Sequence, residues 1–137
     1  QAIGIDGFHL HAKELRRRTV WREGKQIPMA DVKGCPETFA TGKLKQKLQF
    51  LLTKADVYWP VYDRTIHDVI EDAAIVHEKI ILLEGNWLLL RDPAWQVLQQ
   101  YADYTIFIRA AADSLKERLI QRKIRGGKSR SEAAAFY

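Results

Sequence analysis

The chain has little cysteine and no long apolar run. Its 137 residues contain one cysteine, Cys35, so an internal disulfide is excluded and a reducing compartment is favoured. No run approaches the roughly 20 apolar residues that cross a bilayer as a helix. We therefore expect a cytoplasmic protein without a membrane partner.

Several familiar catalytic motifs are also missing. Gly127-Lys128-Ser129 resembles the end of a phosphate-binding loop, but the pattern G-x-x-x-x-G-K-[ST] requires glycine where Arg122 stands. That loop also follows a strand, whereas a basic helix is predicted here. The patterns G-x-G-x-x-G, H-E-x-x-H, C-x-x-C and G-x-S-x-G are absent. We interpret Cys35 as a packing residue rather than a nucleophile.

The charge is unevenly distributed. A formal net charge of +5 favours an anionic partner, and a nucleic acid, a membrane surface or a nucleotide phosphate would each satisfy it. Basic residues concentrate at Arg16–Arg18 and along Lys116–Arg130. Neither run is interleaved with aromatic residues, as a platform for single-stranded nucleic acid would be. We therefore expect no nucleic-acid partner.

Two apolar runs each end in an acid followed by glycine. The run that starts at Lys79 ends in Glu84-Gly85, and Gln1–Ile5 ends in Asp6-Gly7. Unbroken apolar runs are typical of strands buried on both faces of a parallel sheet. Because the carboxyl ends of such strands share one edge, where ligands bind, we expect Asp6 and Glu84 to lie close together.

Helices and a third strand are predicted between and after these runs. We expect short helices at His11–Arg18 and after Pro36, and longer ones capped by Thr41, started at Asp92-Pro93 and opened by a Ser114/Glu117 capping box. Tyr104–Ile108 predicts a strand, and Gly126-Gly127 ends the last basic helix. Asp56–Asp68 contains Pro60 and is predicted to be a ligand-binding loop. Strands that alternate with helices predict an α/β fold with a parallel sheet.

The candidate residues fit phosphoryl transfer. Two carboxylates at strand ends can hold a metal ion or accept a proton, and a helix of arginines can neutralise phosphate charge. A helix that ends in Gly-Gly also suits a closing lid.

Five motifs together carry a resemblance to a known family. They occur in this order: Asp6-Gly7-Phe8-His9; Lys33-Gly34-x-Pro36-Glu37-Thr38-Phe39; Trp59-Pro60-x-Tyr62-Asp63-Arg64-x-x-His67-Asp68; Leu83-Glu84-Gly85-Asn86; and Arg118-Leu119-x-x-Arg122-Lys123. The chain resembles the P-loop small-molecule kinases of the uridine kinase, phosphoribulokinase and pantothenate kinase superfamily. Within it, the chain looks most like bacterial nucleoside/nucleotide kinase-like proteins described as sugar or fructose-transport-associated kinases.

The resemblance implies a role for each matching residue. Asp6 would be the catalytic base, and Glu84 would support Mg²⁺. The acceptor pocket would be lined by Phe8, His9, Tyr62, Arg64 and His67. The lid over the ATP phosphates would carry Arg118, Arg122, Lys123 and Arg125, the first two also acting in catalysis. ATP, Mg²⁺ and a small hydroxylated acceptor are thus the implied partners.

The chain departs from the family pattern at two places. The family's phosphate-binding loop lies upstream of the strand that ends in Asp6, so we expect residues 1–137 to be one kinase-like domain that is truncated at both ends. Its fold would be a three-layer, P-loop NTPase-like parallel sheet with flanking helices, inactive without that loop. Gly34 also replaces an aspartate typical of the nucleoside-kinase branch, which argues against a nucleoside acceptor.

Three functions stay open at this point. The first is a kinase that phosphorylates a sugar, a pantothenate-like compound or a nucleoside. The second is a non-catalytic small-molecule binder or sensor that lacks the nucleotide site, and the third is a nucleic-acid-binding module. The sequence leaves the acceptor and the oligomeric state open, and a homodimer is compatible with it.

Overall fold

The computed structural model describes residues 1–135, which divide into two compact units, Gln1–Asp103 and the chain from Tyr104 onward. The first unit contains six strands: β1 (Ala2–Gly4), β2 (Thr19–Arg22), β3 (Lys25–Pro28), β4 (Val57–Asp63), β5 (Asp68–Val76) and β6 (Leu82–Glu84). Its helices are α1 (Ala12–Arg17), α2 (Thr41–Thr53) and α3 (Pro93–Gln96), and short 3₁₀ turns lie at Asp6–Phe8, Met29–Val32, Pro36–Thr38 and Val97–Tyr101.

The strands form one parallel pair and two antiparallel hairpins. β1 pairs with β6 in parallel, with Ala2 opposite Leu82 and Gly4 opposite Glu84. β2 pairs with β3 and β4 with β5, both antiparallel. The mixed α/β class and the parallel pairing of the two acid-ending strands are thus confirmed.

One hydrophobic core lies under these elements. Trp59 on β4 and Trp95 on α3 are almost fully buried, together with Ile5, Phe8 and Leu44. Phe8 meets Trp59 edge to face at 4.8 Å between ring centroids, and Phe39 meets Trp95 in the same way at 5.4 Å. Such aromatic pairs stabilise a fold by about 0.5–1.5 kcal/mol beyond the area they bury. The core therefore fixes the ends of β1 and β4 relative to each other.

The prediction that the run from Lys79 is buried on both faces is wrong. β6 covers Leu82–Glu84, Ile80 is 84% exposed and Leu82 is 61% exposed. Among the described strands β6 is hydrogen-bonded to β1 alone, so its other edge has no strand neighbour. Trp87, Leu88 and Leu90 leave the strand direction and pack against the core instead.

The predicted loop at Asp56–Asp68 is a strand and a turn. Val57–Asp63 forms β4, and Pro60 sits where the register with β5 shifts between Trp59 and Val61. Proline donates no backbone hydrogen bond, and a bulge is a position in a strand where none is needed. The proline that argued against a strand therefore marks an irregularity inside one.

One helix start in the first unit differs from the prediction. Thr41 is the first residue of α2, and Ala40 occupies the N-cap without a side-chain hydrogen bond. α3 starts at Asp92-Pro93 with Pro93 in its first turn, as predicted, and the Asp92 carboxylate caps it by accepting from the Ala94 N–H at 2.9 Å. The short helix predicted near His11–Arg18 is α1, and Pro36 opens a 3₁₀ turn.

The second unit contains α4 (Ala112–Arg125) and α5 (Arg130–Ala135). Ile120 and Ala133 are buried among its described residues, and Gly127 has a φ of 94°, a left-handed backbone that suits glycine after a helix. The predicted Ser114/Glu117 capping box is wrong, because the helix begins at Ala112 and has no side-chain cap. The predicted strand at Tyr104–Ile108 is also wrong: no described strand pairs with it, and its large apolar side chains are exposed.

Within residues 1–135, no helix combines the length and the apolar character that crossing a membrane requires.

Candidate active site

The structure places Asp6 and Glu84 at the same end of the parallel pair. Gly4 lies opposite Glu84, and the Ile5 N–H donates to the Glu84 carbonyl at 3.1 Å, so both chains leave the pair together. The Glu84 carboxylate lies beside Gly4, where a Cβ would clash with it. Both acids are exposed to solvent. Both acids therefore lie at the same end of the parallel pair, as predicted from the strand ends.

The turn that carries Asp6 is held tightly against β4. A Cβ on Gly7 would overlap the backbone of Pro60 and lie 2.8 Å from the Val61 nitrogen, so only glycine allows this approach. The Trp59 indole N–H donates to the Gly4 carbonyl at 3.0 Å. The bulge at Pro60 is thus the surface against which the Asp6 turn rests.

Arg64 reaches Asp6 from the turn that joins β4 to β5. Its Nη2 lies 3.5 Å from Asp6 Oδ2, with the two side chains 65% and 53% exposed. Asp63 orders this turn, because its carboxylate accepts from the Thr65 N–H at 2.7 Å and from the Thr65 hydroxyl. These hydrogen bonds from Thr65 hold the pKa of Asp63 below its ordinary value. The hairpin turn therefore positions a guanidinium over the candidate base.

His9 is held beside Asp6 by a hydrogen bond to the backbone. Its Nδ1 lies 2.9 Å from the Asp6 carbonyl, and because a carbonyl only accepts, Nδ1 carries the proton. The ring packs on Phe39 at 4.0 Å and on Tyr62 at 5.6 Å between centroids. Burial lowers the pKa of His9, so the ring stays neutral near pH 7 and Nε2 keeps its lone pair.

His9, Tyr62 and Lys33 form one group of side chains, which we call the wall. Lys33 was not among the predicted site residues. Its ammonium donates to the Tyr62 hydroxyl at 2.8 Å and to the His67 carbonyl at 3.1 Å. It also lies 4.5 Å from the centroid of the Tyr62 ring. The only sequence signal for it was its position at the start of the motif Lys33-Gly34-x-Pro36.

A network of ion pairs borders the wall on the side of β5. The Asp68 carboxylate accepts from the Ala12 and Val69 N–H groups and lies 3.4 Å from His11 Nδ1. Glu71 contacts both His11 and Lys43. Burial acts to raise the pKa of Asp68, but the hydrogen bonds from Val69 and Ala12 outweigh it and the pKa is lowered. These side chains tie α1 and α2 to β5.

Two predicted acceptor residues have different surroundings from those expected. Phe8 is 1% exposed and packs in the core, so its ring offers no face to a small molecule and instead supports the Asp6 turn. His67 lies in the hairpin turn with a φ of 53°, and its carbonyl is what contacts Lys33. Tyr62, Arg64 and His9 are the predicted acceptor residues that the structure brings together.

The predicted lid residues lie on α4, in the second unit. Arg118 and Arg122 are exposed and four residues apart, so they share one side of the helix, and Lys123 and Arg125 follow in its last turn. The N–H groups of Gly126 and Gly127 close the helix on the carbonyls of Arg122 and Ile124. This unit therefore presents a basic helix with a defined end.

The donor set at the strand ends is compatible with Mg²⁺ bound together with substrate phosphates. Mg²⁺ is usually held by one or two carboxylates plus phosphate oxygens and water rather than by an all-protein cage. Asp6 and Glu84 supply two carboxylates, and among residues 1–135 no cluster of three or more acidic, histidine or cysteine side chains could hold a metal alone. For ATP, the exposed arginines of α4 are cations suited to phosphate oxygens.

Known proteins similar to this chain include several kinases. A protein of Escherichia coli K12, uncharacterised protein YggC, is 43% identical over the whole chain, which covers 54% of that protein. The uridine kinase of Clostridium perfringens ATCC 13124 is 32% identical over 66% of this chain and 40% of its own length. The pantothenate kinase of Listeria monocytogenes HCC23 is 24% identical over 89% of this chain and 38% of its own length.

Two solved structures share the fold. One, from Silicibacter sp. TM1040, is titled a "putative fructose transport system kinase" and matches with a TM-score of 0.85 at 29% identity, over 98% of this chain and 62% of that one. The other, YFH7 of Saccharomyces cerevisiae, is titled a "putative P-loop containing kinase with a circular permutation" and has a TM-score of 0.78 at 20% identity, over 98% and 49%. The second likeness shows the fold alone.

These similarities identify the class of protein. The chain has the α/β fold of the P-loop kinases. It is a relative of the P-loop kinase superfamily that includes the uridine and pantothenate kinases above. No protein-family model matches the chain. The chain spans about half the length of the curated relatives that match it over nearly its whole length.

Proposed function

We propose that the full-length protein is an ATP- and Mg²⁺-dependent kinase that phosphorylates a hydroxyl group of a small-molecule acceptor. The observation that carries this proposal is the parallel pairing of β1 with β6, which brings Asp6 and Glu84 to one sheet edge with Arg64 3.5 Å from Asp6. The kinase relatives support the reaction class.

Asp6 is the proposed base. Its carboxylate is exposed beside a wall of polar groups, where an acceptor hydroxyl could donate its proton to Oδ1 or Oδ2. Arg64 pairs with this carboxylate and orients it. Because Gly7 and Trp59 lock the turn against β4, the base is held on a rigid support.

His9 and Tyr62 form the proposed acceptor wall. The Nε2 lone pair of His9 can accept a hydrogen bond from an acceptor hydroxyl. The Tyr62 oxygen accepts from Lys33, which leaves its own proton free to donate. The hydroxyl groups of a polyhydroxylated molecule can both donate to His9 and accept from Tyr62.

Glu84 would help to hold Mg²⁺, and Arg118 and Arg122, with Lys123 and Arg125, would contact the phosphates of ATP. When bound, ATP·Mg²⁺ supplies the phosphoryl group and neutralises part of its charge. The cytoplasmic location, the homodimer and the single domain over 1–137 stay predictions.

Replacing Asp6 by asparagine in the full-length protein tests the proposal. Asp6→Asn keeps the size of the side chain and removes the proton acceptor, so kcat should fall about 10²- to 10⁴-fold. Asp56→Asn, at an exposed acid with no partner among the described residues, is the matched control and should leave kcat unchanged. ADP release is measured against a panel of hydroxylated compounds.

Full turnover by Asp6→Asn would rule out this residue as the base. If the wild-type protein binds no ATP·Mg²⁺ in calorimetry, the kinase proposal fails and a non-catalytic binder or sensor replaces it. If the protein instead binds duplex DNA, with an affinity that falls steeply as the salt concentration rises, the nucleic-acid-binding function is favoured.

A further inference from the structure

Lys33 is an exposed cation that is anchored by hydrogen bonds and forms no ion pair among the described residues. Its ammonium makes two hydrogen bonds, to the Tyr62 hydroxyl and the His67 carbonyl, and both partners are neutral. No carboxylate among residues 1–135 lies within 4.0 Å of it. An ammonium group has three donors, so one is left for a further partner.

Several other cations of the first unit form ion pairs. Lys43 pairs with Glu71, Lys47 with Asp72 and Arg22 with Glu37. Arg64 pairs with Asp6. Each of these charges is therefore neutralised within the fold. Lys33 is held by two hydrogen bonds and the Tyr62 ring, and Asp68, the carboxylate whose pKa its charge lowers, forms no ion pair with it.

The position of Lys33 shows where that partner would bind. Tyr62, which holds the ammonium, also faces the His9 ring at 5.6 Å between centroids, and His9 is bonded to the Asp6 carbonyl. Lys33 is close enough to His9 and Asp68 for its charge to lower the pKa of each, as a smaller contribution. The Lys33 ammonium therefore lies beside Tyr62 and His9, next to the candidate base Asp6.

We propose that the acceptor carries an anionic group, a carboxylate or a phosphate, and that Lys33 binds this group while a hydroxyl of the same molecule faces Asp6. The inference rests on the proposed function for the role of Asp6, and it narrows the acceptor to hydroxylated acids and phosphate monoesters. Tyr62 acts as the residue that positions Lys33. Neutral sugars and polyols lack the partner for this charge.

The test compares molecules that differ only in the charged group. Two matched series serve: glycerol, glycerate and glycerol 3-phosphate, and glucose, gluconate and glucose 6-phosphate. Binding to the full-length protein is measured by calorimetry without ATP, and turnover is measured separately with ATP·Mg²⁺. We expect an acid or a phosphate ester to bind at least 10-fold more tightly than its neutral counterpart, and the better of the two identifies the anionic group.

Three variants test whether Lys33 binds the anionic group of the acceptor. Lys33→Met removes the charge and should raise the Kd and KM of the anionic acceptor about 10- to 100-fold, the range expected for a lost hydrogen bond between charged groups. Its kcat at saturation should change less than about threefold. Lys33→Arg should retain most of the binding, and Lys25→Met, at an exposed lysine on β3, should behave as wild type.

The outcomes separate the two proposals. Binding of anionic compounds that depends on Lys33, without turnover, supports this inference and contradicts the kinase proposal. Turnover of a neutral compound without binding of any anionic one supports the kinase and overturns this inference. Unchanged KM in Lys33→Met overturns it as well, as does a complete lack of binding by all four anionic probes.

Discussion

Gly7 has a backbone neighbour where other residues carry a side chain. Its missing Cβ leaves room for the Pro60 carbonyl and the Val61 nitrogen, and this contact presses the Asp6 turn onto the bulge of β4. Backbone atoms cannot move aside as the end of a flexible side chain can. A single methyl group at this position therefore strains both the turn and the strand.

We predict that Gly7→Ala lowers the free energy of unfolding by about 1–3 kcal/mol, the usual cost of overpacking. Gly42→Ala is the matched control, because position 42 lies in α2 with no atom within 4 Å of the new methyl group, and it should cost nothing or add up to about 1 kcal/mol. Denaturant unfolding followed by tryptophan fluorescence measures both, since all four tryptophans lie in residues 1–103. Equal stability of the two variants would contradict the close contact.

At the scale of elements, two helix starts looked similar in the sequence and differ in the structure. Asp92 is the N-cap of α3 and accepts a hydrogen bond from the Ala94 N–H. Ser114 lies inside α4, which begins two residues earlier at Ala112 with Ala111 as its N-cap. A cap stabilises a helix only when its backbone is outside the helix and its oxygen reaches a free N–H.

Alanine substitutions at these two positions should therefore differ. Asp92→Ala should lower the free energy of unfolding by about 1 kcal/mol, because an N–H of the first turn of α3 loses its acceptor. Ser114→Ala should cost nothing and add a few tenths of a kcal/mol, because alanine has the higher helix propensity. Tryptophan fluorescence reports the first change and circular dichroism at 222 nm the second. A loss of about 1 kcal/mol in Ser114→Ala would support Ser114 as the N-cap and contradict the helix start at Ala112.

For the whole molecule, the shifted pKa values act in one direction as the pH falls. Burial lowers the pKa of His9 below 6.5, so the unfolded chain binds that proton more readily than the folded one. The hydrogen bond from Arg22 lowers the pKa of Glu37 below 4.5. Burial acts to raise the pKa of Glu71, but the hydrogen bonds from Lys43 and His11 outweigh it, and the pKa is lowered. In each case folding releases protons, so stability is lost as the pH falls.

We therefore predict a loss of stability in two pH windows. The free energy of unfolding should fall first below about pH 6.5, where His9 is protonated in the unfolded chain, and again below about pH 4.5 through the carboxyl groups. His9→Gln should remove the first fall and keep the second. Unfolding at pH values from 8 to 3, followed by tryptophan fluorescence, measures both, and a constant wild-type value between pH 7.5 and 5.5 would contradict the buried neutral ring.

The fold class and the residues at the strand ends could be predicted from the sequence alone. Two apolar runs that end in Asp6 and Glu84 predicted parallel strands with both acids at one edge, and the register of β1 and β6 confirms it. Such predictions succeed because strand patterns and end residues are local properties of the chain. The motif string that indicated a P-loop kinase is likewise read along the chain, and the relatives confirm it.

The arrangement of the side chains beside Asp6, in contrast, depends on tertiary contacts. Pro60 indicated a loop, yet a register shift with β5 allows it inside a strand, and the residues around Pro60 do not show this pairing by themselves. Phe8 belongs to the core because Trp59 packs on it, and Lys33 belongs to the wall because Tyr62 and His67 hold it. Contacts between residues about 30 to 50 positions apart form only in the folded chain. The hydrogen bonds that anchor the Lys33 ammonium could therefore be recognised only in the structure.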